Sequence, residues 1–137
     1  MYKTIVCAIG LGSRERARQL VATSITLLAP GGDLHLVHVV EGFPAVSPQH
    51  PEPRAVELLK DADHKLVEIT RSLPLKPIMH VCTGEAVHTI IRIAEEVGAD
   101  CIVIGAHPED ILDKFFGSIV DRIIHKARCS VHICRLA

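Results

Sequence analysis

Two short stretches of this chain, Tyr2–Ile9 (YKTIVCAI) and Asp100–Gly105 (DCIVIG), are apolar and β-branched almost without interruption. A strand with one face in water alternates polar and apolar residues, so a continuous run marks a strand covered on both faces. Such strands sit inside parallel sheets flanked by helices, and these two are expected side by side at the centre. Their lengths, and that of Leu36–Val40, fall far short of a membrane span. The first strand begins at once, with no charged and apolar leader ahead of it, so a cytoplasmic protein without a membrane segment is expected.

Between the two runs the pattern switches between strand and helix signals. Ser13 can cap a helix that keeps Ala17, Leu20, Val21, Ser24 and Leu28 on one side and stops at Pro30-Gly31-Gly32. Asp33–Val40 (DLHLVHVV) reads as the second strand. Glu41–Arg54 carries Pro44, Pro48, Pro51 and Pro53, which suits a surface loop. From Arg54 to Leu73 apolar residues recur four and three apart in a helical stripe ended by Pro74. Lys76–Cys82, with Pro77 near its start, suits an edge strand. Gly84 opens a helix over Glu85–Val97, and Gly98 is placed as its left-handed cap. Ser118–Lys126 is expected as the last helix, with Val120, Ile123, Ile124 and Ala127 on one face, and Ser130–Cys134 as the last strand.

Five strands alternating with four helices predict an α/β fold, an open, doubly wound parallel sheet of order 3-2-1-4-5 with helices on both faces. At 137 residues one domain, 1–137, is expected. Hydrophobic residues make up 48% of the chain and aromatics 3% with no Trp, so the core is aliphatic. A net charge of -1 without a Lys/Arg run gives no nucleic-acid footprint. The five cysteines form no CxxC pair and lie mostly in apolar strand patterns, which suits reduced, buried thiols.

In that order the connections reverse between strands one and four, so Gly10 and Gly105 should face each other across a ligand crevice. Gly117-Ser118 would open the last helix there. Main-chain N–H groups of Ser118, Ile119 and Val120 would suit a phosphate, and His107 could donate to one when protonated. The plainer reading is that Ser118 caps its helix and His107 is a loop residue. Gly10-x-Gly12 begins like a dinucleotide fingerprint, but the third glycine position is Glu15, which excludes that reading. His80 and Cys82 share a strand face but supply only half of a zinc site, and His35 and His38 point to opposite faces. All four read as ordinary sheet residues, and no metal site is assigned. No GxSxG or comparable nucleophile constellation is present.

The phrases VCTGEAVHTIIRIAEEVGADCIVIGAH and GSIVDRIIHKARCSVHICR resemble the universal stress protein family, and the resemblance runs from KTIVCAI to the end of the chain. The step from Gly117-Ser118 to Ala127-x-Cys129-Ser130-Val131 is its most specific part. The loop GAHPEDILDKFFGS is most similar to the short, single-domain F and G types of enteric bacteria.

The resemblance implies a stress-response protein, a homodimer or a tetramer, with ATP held in the crevice in one half of the family. By carry-over, Ala8, Ile9, Gly10, Val39 and Val40 would line the adenosine, and Gly105, His107, Gly117, Ser118, Ile119 and Val120 would hold the phosphates. Glu109 and Asp110 beside that site would repel ATP unless Mg2+ bridges them. The family's phosphate motif is matched at Gly105 and at Gly117-Ser118, whereas Pro108 replaces its second glycine and the spacer is one residue short. Gly10 also stands where ATP-binding members have an Asp. The implied function is weak ATP binding as a regulatory ligand, with no base identified for hydrolysis or self-phosphorylation at Ser118. The edge strand would pair with its two-fold mate through Val131, His132 and Ile133. The competing expectation is a nucleotide-free dimer with a filled crevice, acting through a regulatory protein partner.

Overall fold

The structure, a computed structural model, describes residues 1–43, 49, 52–106 and 119–136. Its strands are β1 (Tyr2–Ala8), β2 (Leu28–Val40), β3 (Ile78–Thr83), β4 (Cys101–Ala106) and β5 (Ser130–Arg135). The helices are α1 (Arg14–Leu27), α2 (Pro53–Thr70), α3 (Ala86–Val97) and α4 (Ile119–Lys126). The strands form one parallel sheet of order β3-β2-β1-β4-β5, as the alternation predicts.

Register explains why the central strands read as unbroken apolar runs. Ile5 sits between Leu34 and Cys101, Val6 between His35 and Ile102, and Cys7 between Leu36 and Val103. Ile5, Cys7, Leu34, Leu36 and Val103 pack with Ala17, Leu20 and Val21 of α1 and Leu66 and Ile69 of α2. Val6, Val37, Ile102 and Ile104 pack with Val87, Ile90, Ile93 and Ala94 of α3 and Ile123 of α4. Alternate residues of the same strand therefore feed two separate aliphatic cores.

Helix ends are set by local chemistry. Ser13 caps α1 by accepting from the Arg16 N–H at 3.3 Å. Glu52 caps α2 through the Arg54 N–H at 3.1 Å, with Pro53 in the first turn. Glu85 caps α3 by accepting from Val87 and His88 N–H groups at 3.2 and 2.7 Å, and Gly98 closes that helix at φ 67° in the left-handed region.

The structure corrects several expected details. Leu28 begins β2 and does not continue α1, so Pro30-Gly31-Gly32 lies inside β2. There the register slips between the pairs Tyr2↔Leu28 and Thr4↔Asp33. The slip absorbs the turn-forming residues: Gly31 takes φ 76°, and a Cβ on Gly32 would lie 2.8 Å from the Lys3 carbonyl oxygen. The second helix ends at Thr70, where the Thr70 hydroxyl donates to the Leu66 carbonyl, yet Leu73 still packs on the core. Ile123 of α4 is fully buried while Ile124, a helical step of about 100° away, is 47% exposed. All five cysteines are free, as expected; Cys7 and Cys101 are buried, whereas Cys82, Cys129 and Cys134 are only half-buried.

Among the described residues, no helix is long and apolar enough to cross a membrane. The sheet's two edges are β3 and β5. On β5, Val131 and His132 are half-buried and Ile133 is 40% exposed.

Candidate functional site

The carboxyl ends of β1 and β4 part at the reversal of strand order, and a cavity of about 440 Å3 opens between them. Gly10 and Gly105 both line it, together with Ala8, Ile9, Val39, Ile119 and Val120. Seven of the eleven residues carried over from the family pattern are thereby brought to one crevice. Val40 is not among the lining residues, and its carbonyl accepts from the Gly84 N–H at 3.2 Å. His107, Gly117 and Ser118 lie outside the described residues, as do Pro108, Glu109 and Asp110.

The two glycines play different parts. Gly10 is exposed, and a Cβ there would meet nothing within 4 Å, so the crevice has unused room at the end of β1. Gly105 is packed hard: a Cβ there would lie 2.4 Å from Leu136 Cδ1 and 3.3 Å from Leu20 Cδ1. The group that approaches Gly105 closely is thus Leu136, the residue just beyond β5. Leu136 is buried at 5% exposure, and its N–H donates to the Ala106 carbonyl at 3.0 Å. It forms part of the crevice wall.

Polar groups come from elements that the sequence reading treats as scaffold. Arg16 from the first turn of α1, His38 from β2 and Glu41 just beyond β2 all line the cavity. Beyond Ala8, the Ile9 N–H donates to the Val37 carbonyl at 2.8 Å, and His38 Nδ1 donates to the Ile9 carbonyl at 2.8 Å. The available signal for His38 was its place near the end of β2, one strand from Gly10.

The other strand histidines do meet a partner. His35 Nδ1 and His80 Nε2 are 2.9 Å apart across the β2–β3 pair, with the rings stacked at 5.1 Å between centroids. Burial lowers both pKa values; for His35 the neighbouring His80 adds to the effect and Asp33 opposes it, and for His80 Glu96 opposes it and Arg92 adds to it. Among the described residues, no three His, Cys, Asp or Glu side chains cluster as metal ligands. Burial also pushes the Cys7 thiol up to about 12, which makes it a poor nucleophile.

An open, doubly wound sheet with a crevice at its switch point, at the carboxyl ends of the strands, defines a Rossmann-like α/β protein. The model of the universal stress protein family matches residues 1–135, and the chain belongs to that family. It is 31% identical to universal stress protein A homolog 1 of Coxiella burnetii over 95% of this chain and 94% of that one. It is 28% identical to universal stress protein G of Escherichia coli O157:H7, a protein of the short type, over 98% of this chain and 100% of that one. Among solved structures, a universal stress protein from Archaeoglobus fulgidus in complex with dAMP is 26% identical, with a TM-score of 0.66, over 96% of this chain and 97% of that one.

Proposed function

We propose that the crevice binds an adenine nucleotide, ATP, with low affinity and that the bound nucleotide is a regulatory ligand in the stress response. The observation that carries this reading is the cavity at the β1/β4 switch point, where Gly10, Val39, Ile119 and Val120 meet in a space of about 440 Å3. Clefts of this size are typical of small-molecule sites. The dAMP complex of the Archaeoglobus fulgidus relative supports adenine-nucleotide chemistry in this fold. Val39 and the end of β1 would hold the nucleoside through apolar contact and main-chain groups. Phosphate binding falls to the start of α4 and to the segment before it, with Mg2+ offsetting acidic side chains.

Low affinity follows from Gly10. A carboxylate at that position would accept from the ligand, and its absence forgoes about 1.5–3 kcal/mol, or about ten- to hundredfold. The chain acts as one domain in a homodimer that pairs β5 with its two-fold mate through Val131, His132 and Ile133, an arrangement that would cover the open edge. Its site of action is the cytoplasm. Equilibrium titration of the purified protein with Mg-ATP tests the reading, with saturable binding expected and none contradicting it.

One observation favours a nucleotide-free dimer acting through a protein partner. Leu136 already takes part of the crevice beside Gly105. On that reading the melting temperature is indifferent to ATP and a variant of Ile133 splits the dimer.

A further inference from the structure

His38 stands out among the crevice residues because its orientation is fixed by the backbone. Its Nδ1 lies 2.8 Å from the Ile9 carbonyl oxygen, and a carbonyl can only accept. The hydrogen therefore resides on Nδ1, and in the neutral ring Nε2 carries a free lone pair. The Ile9 carbonyl is itself held in place, because the N–H of the same residue donates to Val37 at 2.8 Å. The ring thus lines the cavity from the seam of β1 and β2. Beside it, Gly10 brings no side chain and leaves open space. Among the described residues, the other lining side chains that can hydrogen-bond are Ser13, whose hydroxyl already caps α1, Arg16, which can only donate, and Glu41, which lies exposed at the end of β2.

We infer that His38 is the nucleoside-orienting residue of this crevice: with Nδ1 anchored on Ile9, its Nε2 accepts a hydrogen bond from the bound adenosine, from a ribose hydroxyl or the exocyclic amine. The inference rests on the nucleotide reading given above. A preorganised ring loses little freedom on binding, so the contact supplies selectivity at small entropic cost. Discrimination against an analogue lacking the donor then arises because Nε2 is left unpaired beside it.

The test compares ATP, 2′-deoxy-ATP, 3′-deoxy-ATP and purine riboside triphosphate, which lacks the exocyclic amine, on the wild type and on His38→Asn. Asparagine keeps a side-chain N–H for the Ile9 carbonyl and has no counterpart of Nε2, so a purely structural tie survives the change. The wild type should bind one of the three analogues about two- to tenfold more weakly than ATP, the range of one neutral hydrogen bond. His38→Asn should weaken ATP by the same factor and bind that analogue no more weakly than the wild type does. Equal wild-type affinities for all four ligands overturn the inference whether or not the variant folds. Wild-type discrimination that persists undiminished in His38→Asn also overturns it and transfers the role to another group, with Glu41→Gln as the next variant. Failure of the wild type to bind any of the four defeats the nucleotide reading itself, and the inference with it.

Discussion

Leu136 lies so close over Gly105 that a single added methyl group would stand 2.4 Å from its Cδ1 and 3.2 Å from its Cγ. The glycine at the end of β4 is thereby required by the fold's own C-terminal segment before any ligand enters. Gly105→Ala should lower stability by about 1–3 kcal/mol, the usual range for overpacking. Leu136→Ala should cost about 2 kcal/mol by opening a cavity. Combining the two should cost less than their sum, since the shorter side chain makes room for the methyl group. Urea unfolding of the four proteins measures this coupling.

Gly10 has the opposite surroundings, with open space where a side chain would project. Gly10→Asp should therefore leave stability nearly unchanged and strengthen ATP binding about ten- to hundredfold by supplying a charged acceptor. Isothermal titration of both proteins checks this, and unchanged affinity would count against an adenosine at the end of β1.

The His35–His80 pair gives stability a pH dependence of known sign. Both histidines have folded-state pKa values below the ordinary 6.5, with burial as the main cause. The unfolded chain takes up protons near pH 6.5 that the fold resists until lower pH. Stability from this pair is full above that value and declines as pH falls below it. Replacing both residues by Asn should flatten the profile between about pH 7 and 5, as followed by the melting temperature.

Glu85 joins two elements, capping α3 with its carboxylate and meeting Arg122 of α4 at 2.9 Å. The His88 N–H is the main cause of its lowered pKa, and Val87 and Arg122 contribute. Its contribution is present above the ordinary carboxylate range and lost as pH falls through that range, a window distinct from that of the histidines. Glu85→Ala should cost about 1 kcal/mol, mostly as a lost cap, because the exposed ion pair is screened by water. Glu85→Gln should recover part of the cap, and thermal unfolding distinguishes the three proteins.

The central strands were legible in the sequence because double burial leaves a nearly continuous apolar run, as in Tyr2–Ile9 and Cys101–Ile104, too short and too β-branched for a helix. Gly98 was legible because only a left-handed cap calls for glycine there. The start of β2 was not. Pro30-Gly31-Gly32 carries the signals of a turn, and only pairing with β1, a long-range effect, draws it into the sheet. Gly105 reads as a crevice position opposite Gly10, but its partner, Leu136, is thirty-one positions downstream in sequence and is brought to it by the β4–β5 pair. His38 reads as an ordinary sheet residue for a similar reason. Its orientation depends on the Ile9 carbonyl, a backbone group twenty-nine residues away, which no side-chain pattern announces.

The most direct measurement is the melting temperature of the wild-type protein across a titration with Mg-ATP. A ligand that binds only the folded state adds about 2.7 kcal/mol at a hundred times its dissociation constant, a rise of several degrees. A midpoint that climbs steadily with the logarithm of ATP concentration is the predicted result, with a larger climb for Gly10→Asp. A midpoint unmoved by millimolar ATP in both proteins would contradict nucleotide binding in the β1/β4 crevice.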